Sequence, residues 1–337
     1  MDYSDAWSIA NPARRLEAIR KRSAEHHADF LRRPPVRAMW SFDLISFPFL
    51  SDITWWRANF AKNDWWKSPG VLQPVAAYVD YRMYVIQDAG GPIVVLNPLS
   101  TDVDRIGVYR FFGRRFLVHA SPEQHLKSVG LAPEDVDVVA VDHLHLQDLV
   151  ALRRLFPRAK LLVQDRDLEW ARNLHPVDEM FFCRGGAELE LEGRKGPVEV
   201  GQSLALVPTP GHTPGHQTLV VRTAEGVATI GENGLSIDNY HPEECGVDGV
   251  AEFARAAKQE VIPIANTFWS AQAQYDSMVL EKSLASPYMT YTTGALSDRH
   301  RLKSIIGRVP LPRVRRFTPR FSAGTFSRRA QPSTVTA

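Results

Sequence analysis

At 337 residues and 44% hydrophobic content, the chain can bury one large core or two modest ones, which excludes a disordered or collagen-like polymer. Two cysteines, Cys183 and Cys245, exclude a disulfide framework and, at that spacing, a cysteine metal knuckle. The net charge of +2 conceals an uneven distribution: from Arg299 onward there are 10 Lys/Arg and no Asp/Glu, leaving 30 basic against 38 acidic residues in the body.

The first residues, Met1 to Asp5, lack a basic region and an apolar region of the kind that targets a chain for export, and no stretch approaches the ~20 apolar residues of a membrane helix. A soluble, cytoplasmic protein is the simplest expectation. Residues Pro12 to Arg33 read as a helix opened by Pro12, with Leu16, Ile19, Ala24 and Phe30 as its apolar stripe, and Pro34 and Pro35 stop it. Between Met39 and Trp66 stand Trp40, Trp55, Trp56, Trp65 and Trp66. Flat apolar area of that extent packs into a core or walls a cavity. From Val75 the texture changes to strand-like runs at residues 76–79, 83–86 and 93–96. A helix is expected from Pro122 to Val129, and a buried strand at Val138–Val141.

At that strand's exit stands His143-Leu144-His145-Leu146-Gln147-Asp148. Imidazoles two residues apart on extended chain point to one side, so His143 and His145 can grip a single cation. Further along the chain read a helix at 149–156, a strand at 160–164, a helix at 165–173, strands at 188–191, 198–200, 204–207, 218–221 and 227–230, a helix at 250–260 and a strand at Val261–Ile264. Alternation of strands and helices, then a run of hairpins, implies a layered α/β arrangement. Within it, Thr209-Pro210-Gly211-His212-Thr213-Pro214-Gly215-His216 is a Gly/Pro loop able to deliver a third imidazole from His212. His216 reads as a buttress of that loop, and Asp142 carries no motif of its own. The basic stretch after Arg299, with Pro310, Pro312, Pro319 and Pro332, reads as a solvated tail. Its charge leaves nucleic acid open as a partner, though such binding is not the expectation.

Three pieces in this order, over about residues 70 to 285, resemble the metallo-β-lactamase superfamily, and the texture of "GLAPEDVDVVAVDHLH" and "LFPRAKLLVQ" is most similar to its lactonase and glyoxalase II-like branch. The resemblance implies an αββα sandwich over residues 71–285, with an aromatic-rich extension at 1–70 and a basic tail at 286–337. It implies that His143, His145 and His212 form a first metal position. Where the family motif reads HxHxDH, this chain has Gln147 and Asp148 in the last two places. Glu232 stands where a bridging Asp belongs, and Ala265 or Asn266 replaces the final His. A neutral amide, displaced carboxylates and an alanine make a poor second position.

The expectation is therefore one Zn²⁺ per chain at His143, His145 and His212, with Asp148 and Glu232 as candidate ligands or general bases for hydrolysis of an ester, lactone or thioester. Two alternatives stay open. Two histidines with Glu232 would suit Fe²⁺ and oxygen chemistry, and a catalytically silent scaffold would bind a ligand or partner. A homodimer is compatible with either.

Overall fold

The computed structural model describes residues 1–50, 76–99, 117–174, 193–245, 250–264, 267, 269–301 and 319–327. Two sheets face each other. The first holds β1 (Ala38–Leu50), β2 (Ala76–Gln87), β3 (Ile93–Leu96), β4 (Leu117–Val118), β5 (Val138–Ala140), β6 (Lys160–Leu162), β12 (Gly294–Arg301) and β13 (Ser322–Ala323). Its central order is β13-β1-β2-β3-β5-β6, with β3, β5 and β6 parallel and β12 pairing with β2. The second sheet runs β11 (Thr290–Thr292), β10 (Val227–Gly231), β9 (Gln217–Arg222), β8 (Leu204–Pro208), β7 (Val198–Glu199). The described helices are α1 (Ser4–Trp7), α2 (Pro12–Leu31), α3 (Pro122–Ser128), α4 (Leu149–Leu155), α5 (Asp165–Arg172), α6 (Ile237–Tyr240), α7 (Val250–Ala257) and α8 (Ala271–Leu284).

Alternation along each strand explains the layering, because successive side chains leave opposite faces of a sheet. On β8, Leu204 and Leu206 enter the core between the sheets, where they meet Val94, Leu96 and Ala140. Their neighbours Ala205 and Val207 face the other way, onto Ile19 and Phe30 of α2 and Leu280 of α8. On the first sheet, Val95 and Val139 turn outward to Leu126, Leu149 and Leu168 of the helices α3, α4 and α5. Strands covered on both faces carry continuous apolar runs, and the order of layers is helix, sheet, sheet, helix.

The ends of the domain differ from the sequence reading. The boundary expected after residue 70 cuts through the sheet, since β1 pairs with β2 along its length, and α2 packs on the outer helical layer against α8. Residues 286–337 were expected to be a basic tail. Among its described residues, β11 and β12 belong to the two sheets, and Pro319–Ser327 returns to β1 through Met39↔Ala323, a Trp40 Nε1 bond to the Gly324 carbonyl, and Ser327 on Gln87. The strand expected at Val261–Ile264 is irregular instead. Pro263 has no N–H for a ladder, and Ile262 is held by Asn239, whose carbonyl accepts from Ile262 N at 2.7 Å and whose amide donates back at 2.9 Å. Trp55, Trp56, Trp65, Trp66, Cys183 and the strand expected at 188–191 lie outside the described residues, as do Ala265 and Asn266.

Arginine explains the docking of the C-terminal segment. Asp43 on β1 accepts from Arg82 Nε and from Arg320 Nε, each at 2.8 Å. Burial pushes the Asp43 carboxyl up, but Arg82 and Arg320 outweigh it and hold it below the usual range. A carboxyl depressed by folding stabilises above its unfolded pKa of about 3.9 and loses that contribution as pH falls through the lower folded value. Asp43→Asn is therefore expected to cost about 3 kcal/mol at pH 7. In urea titrations at stepped pH, the gap between the two proteins should close below about pH 4; a gap that stays constant with pH would contradict the assignment.

Candidate metal centre

Several strand ends meet at one edge of the sandwich. The segment 141–148 leaves β5, the loop 209–216 joins β8 to β9, Glu232 follows β10, and Thr293 separates β11 from β12. Gln217 ties the first two together: its N donates to the Asp142 carbonyl at 2.9 Å and its Nε2 to the Val141 carbonyl at 2.7 Å. Asp167, buried on α5, makes a second link, accepting from Leu144 N at 3.0 Å, Thr213 Oγ1 at 3.0 Å and Gly215 N at 2.6 Å. Burial raises Asp167 to about 6. Gly211 lets the loop lie on α8: its φ is +151°, and a Cβ there would stand 2.2 Å from Gln274 Cα.

This framework brings His143, His145 and His212 together. All three are buried, and one ring nitrogen from each lies within 4.8 Å of the others. His145 Nδ1 and His212 Nε2 are 3.1 Å apart. Ligand nitrogens about 2.0–2.1 Å from a tetrahedral zinc stand roughly 3.3 Å apart, so the spacing fits a shared ion. His143 Nε2 is buried and makes no hydrogen bond, while its Nδ1 donates to Asp142 Oδ1 at 2.7 Å. Burial pushes His145 well below its ordinary value, with His143 adding to the effect, so that ring is a neutral donor. Burial also opposes charge on His143, but Asp142 and Glu232 outweigh it and hold the ring up to about 9. Two carboxylates thus enclose a place that calls for positive charge.

Glu232 occupies a pocket of its own. Its Oε1 accepts from Tyr81 OH at 3.3 Å, and its Oε2 lies 3.3 Å from Thr293 Oγ1 and 4.0 Å from His143 Nε2. Burial raises the carboxyl to about 7 against the lowering effect of His143. The extra methylene of Glu over Asp is accommodated because residue 294 is glycine, where a Cβ would come within 2.7 Å of Glu232 Cδ.

The other sequence candidates are used differently. Asp148 lies outside the three-imidazole group; its Oδ1 accepts from Ala151 N at 3.0 Å as the N-cap of α4, a common station for Asp at a helix start. Gln147 turns its Oε1 to the N–H groups of His145 and Leu146, at 3.1 and 3.0 Å, and so shapes the loop. His216 Nε2 accepts from Glu232 N at 2.9 Å and its Nδ1 faces the Thr209 carbonyl at 3.0 Å. Burial lowers that ring to about 4, and with Nε2 occupied it is a buttress although it stands near Asp142 and His143. A third cluster, His241, Glu243 and Glu244, has Lys282 Nζ 3.6 Å from Glu243 as its cation.

Four residues of this site escaped the sequence reading: Asp142, Asp167, Thr293 and Tyr81. A signal existed only for Asp142, because an acid that closes an apolar strand is costly to bury without a partner.

No family model matches the chain. The N-acyl homoserine lactonase AiiA of Bacillus thuringiensis subsp. kurstaki is 29% identical to it over 168 residues, covering 48% of this chain and 64% of that protein. The N-acyl homoserine lactonase AttM of Rhizobium radiobacter is 33% identical over 111 residues, covering 29% of this chain and 40% of that protein. Among solved structures, a quorum-quenching N-acyl homoserine lactone lactonase superposes with a TM-score of 0.54 at 16% identity, covering 81% of this chain and 98% of that one. The chain has the metallo-β-lactamase fold. Another metallo-β-lactamase-fold structure, AidC, a dizinc quorum-quenching lactonase, superposes with a TM-score of 0.50 at 11% identity over 86% of this chain and 96% of that one. The chain spans less than two-thirds of the length of these relatives, 64% of the Bacillus lactonase and 40% of AttM. Among the described residues, no helix is long and apolar enough to cross a membrane.

Proposed function

We propose that this protein is a metal-dependent hydrolase that opens a lactone ring, with one divalent ion, zinc by preference, held by His143, His145 and His212. The observation that carries the reading is the convergence of three buried imidazoles, one ring nitrogen from each within 4.8 Å of the others, beside the buried Glu232 carboxylate. Names of relatives supply the substrate class: they are N-acyl homoserine lactonases. An ion bound there supplies Lewis acidity and brings the pKa of water down to ~7.

The chain's own groups supply the rest. Glu232, raised to about 7 by burial, is poised as a general base at neutral pH, where the optimum catalytic pKa lies. It takes a proton from water as the oxygen adds to the acyl carbon. The ring C–O bond then breaks, and the leaving oxygen recovers a proton to give the hydroxy acid. Among the described residues Glu232 joins no group of three or more ligand atoms all within 4.8 Å of one another, which supports a base over a ligand and weighs against a two-histidine, one-carboxylate iron site, in which Glu232 would have to ligate.

The count of one ion rests on the second position. Gln147 is committed to backbone N–H groups and one Asp148 oxygen to a helix cap, and neither place offers the imidazole that a second ion would take, which supports a count of one.

The experiment is turnover of N-acyl homoserine lactones, measured as acid release. Ring opening is expected, abolished by chelation and restored by Zn²⁺. A protein that holds its ion yet turns over no lactone, ester or thioester would contradict the reading and favour a silent scaffold.

A further inference from the structure

Asp142 is the most heavily partnered group at the site. Its carboxylate is fully buried and accepts from His143 Nδ1 at 2.7 Å, Asn97 Nδ2 at 2.5 Å and Thr293 Oγ1 at 2.5 Å. Asn97 comes from the end of β3 and Thr293 from the β11–β12 junction, so three separate strand ends converge on one side chain. The clamp with Asn97 is reciprocal, since Asp142 N donates to Asn97 Oδ1 at 2.9 Å. Asn97 holds φ at 52°, a left-handed conformation that Asn tolerates better than most residues. Burying a carboxylate costs several kcal/mol unless it is paired and fully hydrogen-bonded, and here every partner serves to aim one oxygen at one imidazole.

We propose that Asp142 is the positioning residue of the metal centre: it fixes His143 with its proton on Nδ1 and Nε2 turned to the ion. This rests on the metal-centre reading above and extends it to a residue that touches no ion. A 180° flip of the His143 ring would put Cδ2 against Asp142 and Cε1 toward the ion, and the Asp142 bond forbids it. The three rings pack on one another, His143 with centroids 4.5 Å from His145 and 4.7 Å from His212, and those two 4.7 Å apart, so turning His143 would disturb the set. Thr293 completes the device: its hydroxyl donates to Asp142 and its oxygen lies 3.3 Å from Glu232 Oε2, which sets the candidate base beside the ligand that Asp142 aims.

The test is zinc affinity by chelator competition in wild type and Asp142→Asn. Partners of this kind are worth about 10–100-fold in metal affinity, and that weakening is expected at temperatures where the metal-free proteins are both folded, beyond any loss of melting temperature. A spectroscopic arm reads the tautomer directly: long-range ¹H–¹⁵N correlation of zinc-loaded wild type should show His143 protonated at Nδ1 and bound through Nε2. Asp142→Asn with wild-type affinity, or wild-type His143 protonated at Nε2, overturns the inference alone. A wild type that binds no divalent ion overturns it together with the functional reading. Should Asp142→Asn fail to fold, Thr293→Val keeps the carboxylate but removes one donor; severalfold weaker zinc binding supports the proposal, and unchanged binding in Thr293→Val overturns it.

Discussion

His212→Ala is expected to purify with less than about a tenth of the wild-type zinc and to open lactones on the order of 10³-fold more slowly, because most of an acceleration of at least ~10⁶-fold would rest on the ion. Two imidazoles are a poor substitute for three, since catalytic zinc takes three protein ligands and keeps one position open. The fold should survive the change. The loop that carries His212 is fastened by groups other than its imidazole: Asp167 takes Thr213 Oγ1 and Gly215 N, and Gly211 accepts from Ser270 N at 3.1 Å. Circular dichroism and a melting curve close to wild type, together with lost metal, are the predicted pair. Full metal retention in this variant would show that His212 is not a ligand.

Glu232→Gln separates base from ligand. The amide retains an oxygen for Tyr81 or Thr293 and nearly the same shape, so it should fit the pocket opposite Gly294. A general base contributes about 10²–10⁴-fold, and kcat is expected to fall by that factor with metal content unchanged. The pH profile gives the sign. A base works only when deprotonated, so wild-type activity should fall as pH drops below about 7, and Glu232→Gln should lose the part of that acidic limb owed to the carboxyl while keeping the part owed to an ion-bound water. If the substitution instead strips the metal, Glu232 is a ligand and the iron-type alternative regains ground.

The parts of the molecule that were legible in the sequence are those whose signal is local. The helix opened by Pro12, the hairpins from Leu204 to Gly231, and the His143, His145 and His212 pieces announce themselves by capping, alternation and spacing. α8 did not. Its buried positions include Gln274, Asp276, Ser277 and Glu281, so a helix enclosed by protein lacked the apolar stripe expected of one at a surface. Glu281 shows why polar groups sit there: it accepts from Thr218 Oγ1, Asn233 Nδ2 and Tyr240 OH at 2.6 to 2.7 Å. Asp142 and Thr293 are 151 residues apart in the chain and Asp167 and Gly215 are 48 apart. A single carboxylate has no period, and only the topology that faces the sheet of β3 and β5 with the sheet of β11, beside the α5 helix, makes these residues neighbours. Asp148 shows a second role that its motif did not announce: at the start of α4 its Oδ1 caps the helix.

The most direct measurement is elemental analysis of protein purified without added metal, repeated after chelation and zinc reconstitution. About one divalent ion per chain is expected, reduced to background in His143→Ala. Two tightly held ions per chain would contradict the reading of Gln147 and Asp148, and no ion in a folded, reconstituted protein would contradict the three-imidazole centre itself.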